Sequence, residues 1–556
     1  MIEYINLKFG RAQGLEPESI SITPVTVFVG PSNSGKSKIL SEITQFCSSG
    51  QQLATNVIIG SIELKQTSPD KIDQKIADVT LQPEEGDMLQ QNYIMVGTSC
   101  SRYSINKEQL KQAFLNPSND LPLLCKYYLS FNTSMLSGRN RLNLVNQQPA
   151  CDLKDPVSSS FQVLFRDDDK RSEVRRIVHE SFGKYLVLDP TNLGQLNLRL
   201  SSIEPNEPMQ ERGIHEEAVR FHANALSITD ASDGVKAFTG MVIEMIAGDP
   251  SILLVDEPEA FLHPSLSFKL GKEVSGIMSD LDKRLFVSTH SSNFLMGCIQ
   301  AGTSINIIRL TYQNEIPTAR ILPNNDILKL MRNPLLRSAG VLSALFYEYV
   351  IVTESDADRA FYQEINDRLL KHTENKGISN CLFLHAQNKQ TIKTIVKPLR
   401  ELGIPVAGIV DIDIIKDGGV VWSNFLDSGF IPEIEWESLA NLRLALKRKF
   451  EESGRNMKKD GGINLLDPSD KEAAESLFSK LGKYGLFTVS NGELESWLPE
   501  LNATGHGPNW LVEIFEKMGE DPEDENYLKP TNSDVWKFIE NIGKWLFNPR
   551  RKGIPS

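Results

Sequence analysis

The chain has 556 residues, a formal net charge of −13, and 40% apolar against 24% charged residues. That length is too great for one ordinary domain and fits about two to four, while the composition is that of a globular, soluble protein. No apolar run approaches the ~20 residues of a membrane span, and the acidic balance does not advertise nucleic-acid binding, although a local basic surface could supply it.

The N-terminal "MIEYINLKFGRAQ" alternates like a strand and lacks the basic stretch and apolar core of a signal peptide. Cys47, Cys100, Cys125, Cys151, Cys298 and Cys381 are scattered without a CxxC pair. This argues against a zinc site and a disulfide framework and fits a reducing cytoplasm.

Residues 25–40, "VTVFVGPSNSGKSKIL", read as strand, glycine loop and helix start. They fit G-x-x-x-x-G-K-S/T at Gly30, Gly35, Lys36 and Ser37, with Asn33 and Ser34 inside the loop. Loop N–H groups cradle phosphates, the lysine reaches the β- and γ-phosphates, and the serine hydroxyl ligates Mg²⁺. Residues 100–225 carry weak strands, "LSGRNRL" with Arg139 and Arg141, and the mixed-charge "RDDDKRSEVRR". They read as a variable insertion, with Arg139 a candidate contact to nucleotide or DNA or a member of a surface salt-bridge network.

"SILLVDEPEAFLHP", 251–264, is a short apolar strand ending in Asp256 and Glu257. Asp256 suits the Mg²⁺ of a bound nucleotide, and Glu257 suits orientation and deprotonation of the attacking water. "RLFVSTHSSNFL", 284–295, is another strand, ending at His290, which can sense a γ-phosphate. "VDEPEAFLHP" and "VSTHSS" resemble the ABC-type ATPase heads of the SMC, RecF and OLD (overcoming lysogenization defect) families. "ITDASDGVKAFTGMVIEMI", 228–246, stands where those heads carry their signature segment. The resemblance implies that Ser232 and Gly234 cap the γ-phosphate of ATP bound to an opposing head, so that the protein is at least a dimer. It also implies a glutamine that touches Mg²⁺, for which Gln66, Gln91 and Gln162 all qualify.

The head is expected to continue to about residue 342, through a helical "NNDILKLMRNPLLRSAG". A second βα rhythm follows. "EYVIVTE" is a strand ending at Glu354, and "SDADRAFYQEINDRLL" is a helix with Ala357, Phe361, Ile365 and Leu369 on one stripe. "CLFLHAQ", "IPVAGIVDID" and "GLFTVSNGELESWL" supply further strands, the middle one ending in Asp411 and Asp413, the last followed by Glu493 and Glu495. Such alternation predicts a small parallel sheet whose strand ends gather along one edge. Acids gathered there repel one another unless cations neutralise them, and oxygen-only donors suit Mg²⁺ or Mn²⁺. Asp358, three residues after Ser355, is either a further ligand or half of a capping box. The basic segments 442–459 and 548–556 read as a solvated helix face and a frayed terminus.

Glu354 with the D-x-D at Asp411 and Asp413 resembles the TOPRIM domain of primases, topoisomerases and OLD nucleases. The resemblance implies divalent metals on Glu354, Asp411 and Asp413. For OLD nucleases it implies a second metal, with Asp358 and either Glu493 or Glu495 as added ligands, and a late catalytic lysine for which Lys529, Lys537 and Lys544 are candidates. The sequence departs from the TOPRIM pattern at Ser355, where a glycine is common, and at Asn388–Lys389, where a Gly-Lys pair is common. The expected organisation is an α/β chain: an ABC/SMC-like P-loop ATPase head over 1–342, a TOPRIM domain over 343–500 and a C-terminal helical segment over 501–556. The expected function is an ATP-regulated, metal-dependent endonuclease with double-stranded DNA as the expected partner, similar to the Gabija-type or retron-associated anti-phage OLD proteins. A helicase, or a reverse transcriptase with its msDNA, is the kind of partner this implies. An SMC/RecF-like DNA clamp without nuclease activity and a topoisomerase-like strand transferase are the alternatives.

Overall fold

The structure, a computed structural model, describes residues 2–51, 54–83, 89–98, 101–154, 156–281, 283–313, 315–323, 327–328, 332 and 340–555. Two compact units divide it, residues 1–324 and 325–556. Most of the helix expected over 324–340 lies outside the described residues.

The first unit is built on a six-stranded sheet. Its order is Ile316–Leu322, Ile305–Gln313, Val25–Val29, Arg284–Ser288, Ile252–Asp256 and Thr133–Leu136. The first pairing is antiparallel and the other four are parallel. Val25–Val29 is buried at every residue, as expected of a parallel strand covered on both faces. In register, Asp256 lies opposite Ser288, and Val287 opposite Val27. The strand leading to His290 therefore lies between the phosphate-loop strand and the acidic strand, and all three finish at the same sheet edge. Ile2–Leu7 pairs with Ser19–Ser21 and Ile59–Leu64 in a small antiparallel sheet.

The insertion folds compactly. Tyr185–Asp189, Gln195–Ser201, Leu226–Ser227 and Gln148–Pro149 form a four-stranded antiparallel sheet. Its mixed-charge segment is spent internally: Arg175 reaches Glu211 at 2.6 Å, and Arg176 binds Glu173, Glu180 and Glu273 at 2.7, 2.9 and 3.0 Å.

The second unit is a parallel sheet in the order Cys381–His385, Tyr349–Thr353, Val406–Asp411, Leu486–Val489. Strand order reverses between Tyr349–Thr353 and Val406–Asp411, so their carboxyl ends flank a crevice. Helix Asp356–His372 buries Phe361, Ile365 and Leu369 on the sheet. The last fifty residues complete the same core with Trp510, Ile514, Trp536 and Ile539. Truncating either buried indole would cost about 3–5 kcal/mol, a large share of a domain's stability. Those helices are therefore an integral part of this unit. The segment expected to fray is also tied down: the fully buried Arg400 guanidinium donates to the carbonyls of Val406, Tyr484 and Gly553 at 2.9, 2.8 and 3.0 Å.

Two candidate sites at the carboxyl ends of the sheets

The phosphate loop follows strand Val25–Val29 and ends at helix Lys36–Ser49, whose N-cap is Gly35. Gly30 has φ 144°, and a Cβ there would sit 2.0 Å from the Leu310 carbonyl oxygen. Only glycine lets the loop pass so close to the neighbouring strand. Asn33 also has positive φ, and Ser34 is buried. Lys36 folds over its own loop, donating to the carbonyls of Gly30 and Pro31 at 2.9 and 2.6 Å. Burial pushes its pKa down to about 8, despite the nearby Glu257 and Asp256.

A phosphate ligand requires the ammonium form, so nucleotide binding takes up a proton wherever the free protein has lost it. ATP affinity is expected to be flat below pH 8 and to weaken by up to about tenfold per pH unit above it. Titration calorimetry from pH 7 to 9.5 measures this, and Lys36→Arg should flatten the profile.

Asp256 accepts from the Ser37 hydroxyl at 2.9 Å and from the Ser288 hydroxyl. Glu257 follows at φ 52°, a left-handed conformation rare outside glycine. Two contacts hold it there. Its N–H donates to the Ser288 carbonyl at 2.9 Å, and the Arg141 guanidinium donates to its carbonyl at 2.8 Å and to that of Asp256 at 3.2 Å. Strain of this kind, about 1–3 kcal/mol, persists only where the surroundings over-determine it. His290 Nε2 stands 3.7 Å from the Glu257 carboxylate, too far for a hydrogen bond. Burial, then the charge of Lys36, push the imidazole pKa down, so the ring is neutral at pH 7. Glu259 accepts from the Thr289 hydroxyl at 2.8 Å and the His290 N–H at 2.7 Å, and its burial pushes its pKa up.

Arg141, Ser288 and Glu259 are the supporting residues that sequence reasoning missed. The fork of Arg141 bridges two consecutive carbonyls, and hydrogen bonds from a charged donor are worth about 1.5–3 kcal/mol each. Arg141→Ala is expected to lower the melting temperature by several degrees and the kcat of ATP hydrolysis at least tenfold, with a smaller change in KM. Arg141→Lys should recover stability better than turnover, because one ammonium cannot span both carbonyls. Arg139 is exposed. Ser232 is the N-cap of helix Asp233–Ala247, makes no side-chain capping bond and is exposed, while Gly234 packs against the Phe261 carbonyl. Of the glutamines, Gln162 is spent locally, donating to the Pro149 carbonyl and accepting from Ser158, whereas Gln66 and Gln91 are exposed.

In the second unit, Glu354 directly follows its strand, Asp411 ends the next one over, and Asp413 lies in the 3-10 turn Ile412–Lys416. The reversal of strand order brings them together: one carboxylate oxygen from each lies within 4.8 Å of the others. Glu354 accepts the Asp411 N–H at 2.9 Å. Burial, then the charge of Asp411, push the Glu354 carboxyl far above its ordinary range, and burial raises Asp411 against the pull of Lys458. Asp413 Oδ1 is buried and finds no hydrogen-bond partner among the described residues. Three oxygen donors, one of them orphaned, fit a hard divalent cation.

Two lysines already serve this edge. Lys389 reaches Asp413 and Asp417 at 2.9 and 2.6 Å. Lys458 reaches Asp411 at 2.7 Å and Glu493 at 3.3 Å. The loop of Lys458 is seated on the turn that carries Glu493. Gly492, at φ 134°, leaves room for the Lys458 carbonyl, which a Cβ would meet at 2.1 Å. The late candidates do not join the cluster: Lys537 and Lys544 pair with Glu540, and Lys529 is exposed.

Glu493 and Glu495 form a second group, with His506. His506 Nδ1 lies 2.6 Å from Glu495, which also accepts the Gly507 N–H at 2.7 Å. Asp358 forms the capping box: its carboxylate accepts the Ser355 N–H at 2.8 Å, and its own N–H donates to the Ser355 hydroxyl at 3.2 Å. Burial nonetheless raises its pKa, with the like charge of Glu495 adding to the rise and Lys458 opposing it.

A family model described as "AAA domain, putative AbiEii toxin, Type IV TA system" matches residues 25–296. A second, for the TOPRIM domain of overcoming-lysogenization-defect-like proteins, matches residues 345–413. No curated protein matches the chain. Among solved structures, an SMC head bound to the C-terminal winged-helix domain of ScpA is 13% identical, with a TM-score of 0.34, and the match covers 59% of this chain and 99% of that one. The SMC head domain from Thermotoga maritima is 13% identical, with a TM-score of 0.29, covering 58% and 99%. An SMC head with an extended coiled coil bound to the C-terminal domain of ScpA, from Pyrococcus furiosus, is 12% identical, with a TM-score of 0.32, covering 59% and 98%. An AAA-type ATPase domain followed in one chain by an OLD-like TOPRIM domain is the architecture of the overcoming lysogenization defect family, and it is the architecture of this protein.

Proposed function

We propose that the protein is an ATP-regulated, divalent-metal-dependent DNA endonuclease of prokaryotic anti-phage defence, acting in the cytoplasm. The observation that carries this reading is the convergence of Glu354, Asp411 and Asp413 in a strand-switch crevice, with one buried carboxylate oxygen unpartnered. Those three residues would hold Mg²⁺ or Mn²⁺, and Glu493, Glu495 and Asp358 would serve a second ion. Such ions supply Lewis acidity at a phosphoryl oxygen and a nucleophile from water. The chain's own part is to fix the donors: the Asp411 N–H orients Glu354, while Lys389 and Lys458 orient Asp413 and Asp411.

In the first unit, Gly30–Ser37 cradles ATP, with Ser37 and Asp256 holding its magnesium. Glu257 takes the proton of the attacking water, and neutral His290 senses the γ-phosphate. The exposed, uncapped Ser232 hydroxyl is free to reach the γ-phosphate on an opposing head, which makes the working species at least a homodimer. ATP can switch cleavage only through different affinities for two head states. A helicase or a reverse transcriptase is the class of defence partner that fits.

Supercoiled plasmid incubated with Mg²⁺ or Mn²⁺, with and without ATP, tests the reading. Nicking that needs the metal and disappears with chelator supports it. ATP turnover without nicking in any combination would favour a DNA clamp instead.

A further inference from the structure

A groove of about 710 Å³ crosses the second unit. Its walls are helices Pro468–Gly482 and Asp534–Phe547, its floor is the edge strand Leu486–Val489, and residues 548–552 close one side. The chain as a whole is strongly acidic, yet five cations line this groove against one acid, Glu475. Two of the five are committed: Lys544 pairs with Glu540 at 2.7 Å, and Arg551 donates to the carbonyls of Leu546 and Asn548. The other three, Lys483, Arg550 and Lys552, are exposed and pair with no carboxylate among the described residues. Lys552 lies over the Tyr484 ring at 5.5 Å. Phe487 and Phe538 are half-buried in the lining and offer aromatic surface beside the charge.

The groove has a direction. Lys483 lies at the amino end of the floor strand and Ser490 just past its carboxyl end. At that end Val489 is the register partner of Asp411, and the Ile412 N–H donates to the Gly492 carbonyl at 3.0 Å. Followed from Lys483 to Ser490, the groove runs toward the acid cluster. The buried Thr488 hydroxyl on its floor has no hydrogen-bond partner among the described residues. Unpaired cations interleaved with aromatic rings are the chemistry that binds a phosphodiester backbone and its bases. The volume is that of a small-molecule site, enough for a few nucleotides of one strand and too small for a duplex.

We propose that this groove holds a single strand of nucleic acid, with Lys483, Arg550 and Lys552 on its phosphates, and delivers it to the acids at Glu354, Asp411 and Asp413. The proposal rests on the nuclease reading for its purpose, but binding can be measured without cleavage. The test is the full-length triple variant Lys483→Gln/Arg550→Gln/Lys552→Gln against wild type, with a labelled single-stranded oligonucleotide in chelator. Each lost phosphate contact removes about 0.7 from the slope of log affinity against log salt. The variant should lose about 2 from that slope and bind about 100-fold more weakly near 0.1 M salt, with an unchanged thermal melt of the full-length chain as a control on folding. Unchanged affinity and slope would overturn the groove, as would a loss confined to duplex DNA. If wild type never cleaves and the variant still loses single-strand binding, the nuclease reading fails and the groove stands.

Discussion

Glu354→Gln is expected to slow metal-dependent nicking by about 10³-fold or more while leaving ATP hydrolysis untouched. An amide cannot neutralise a cation, and the several kcal/mol of charge stabilisation that a metal site supplies convert to rate at tenfold per 1.36 kcal/mol. The substitution keeps the shape and an oxygen to accept the Asp411 N–H. It should therefore not act by unfolding, and the pH dependence of stability shows how to prove that. Burial and Asp411 raise the Glu354 carboxyl in the folded state. In the metal-free wild type, Glu354's own contribution to stability is therefore fully present below the ordinary carboxylate range and is lost as pH rises through the raised value. Glutamine carries no such penalty, so at pH 8 without metal the variant should melt at the same temperature as wild type or higher. Nicking by Glu354→Gln at the wild-type rate would remove this residue from the chemistry.

Glu257→Gln should lower ATP turnover by about 10²–10⁴-fold, the usual share of a positioned general base, with ATP binding preserved. Lys36, Ser37 and Asp256 keep their partners in the variant, and the left-handed backbone at 257 is held by Ser288 and Arg141 rather than by its own side chain. ATP should then accumulate on the protein without being spent. If two heads share the nucleotide, light scattering will show an ATP-dependent rise in mass that wild type shows only transiently. Full turnover by Glu257→Gln would assign the base elsewhere, with Glu259, which accepts from Thr289 and the His290 N–H, an alternative acid.

The residues that could be read in the sequence are those that end strands. An apolar run of five, such as Tyr349–Thr353, is a buried parallel strand, and the residue after it must surface at the edge where sites form. That rule places Glu354, Asp411 and Asp256 at the edge and His290 two residues beyond it; their grouping into two constellations is what points to chemistry. What could not be read arrives from distant loops. Lys458 belongs to a basic stretch that looks like a solvated helix face, and only the seating of its loop on Gly492 turns it inward. Arg141 sits in a weakly patterned insertion, and nothing local marks it as the brace for a strand more than a hundred residues away. The capping box at Ser355 and Asp358 was legible as spacing, and the structure forms it. The end of the chain looked frayable because its hold, Arg400, lies about 150 residues upstream.

The ammonium groups of Lys389 and Lys458 sit directly on the acids of this edge. A cluster of carboxylates usually makes a metalloprotein's native state conditional on its ion, so that stripping the ion melts the domain. Here the polypeptide brings its own countercharge to Asp411, Asp413 and Glu493. The sheet can thus assemble first and receive its ions afterwards, which makes them reagents taken up by a finished scaffold rather than rivets that hold it together.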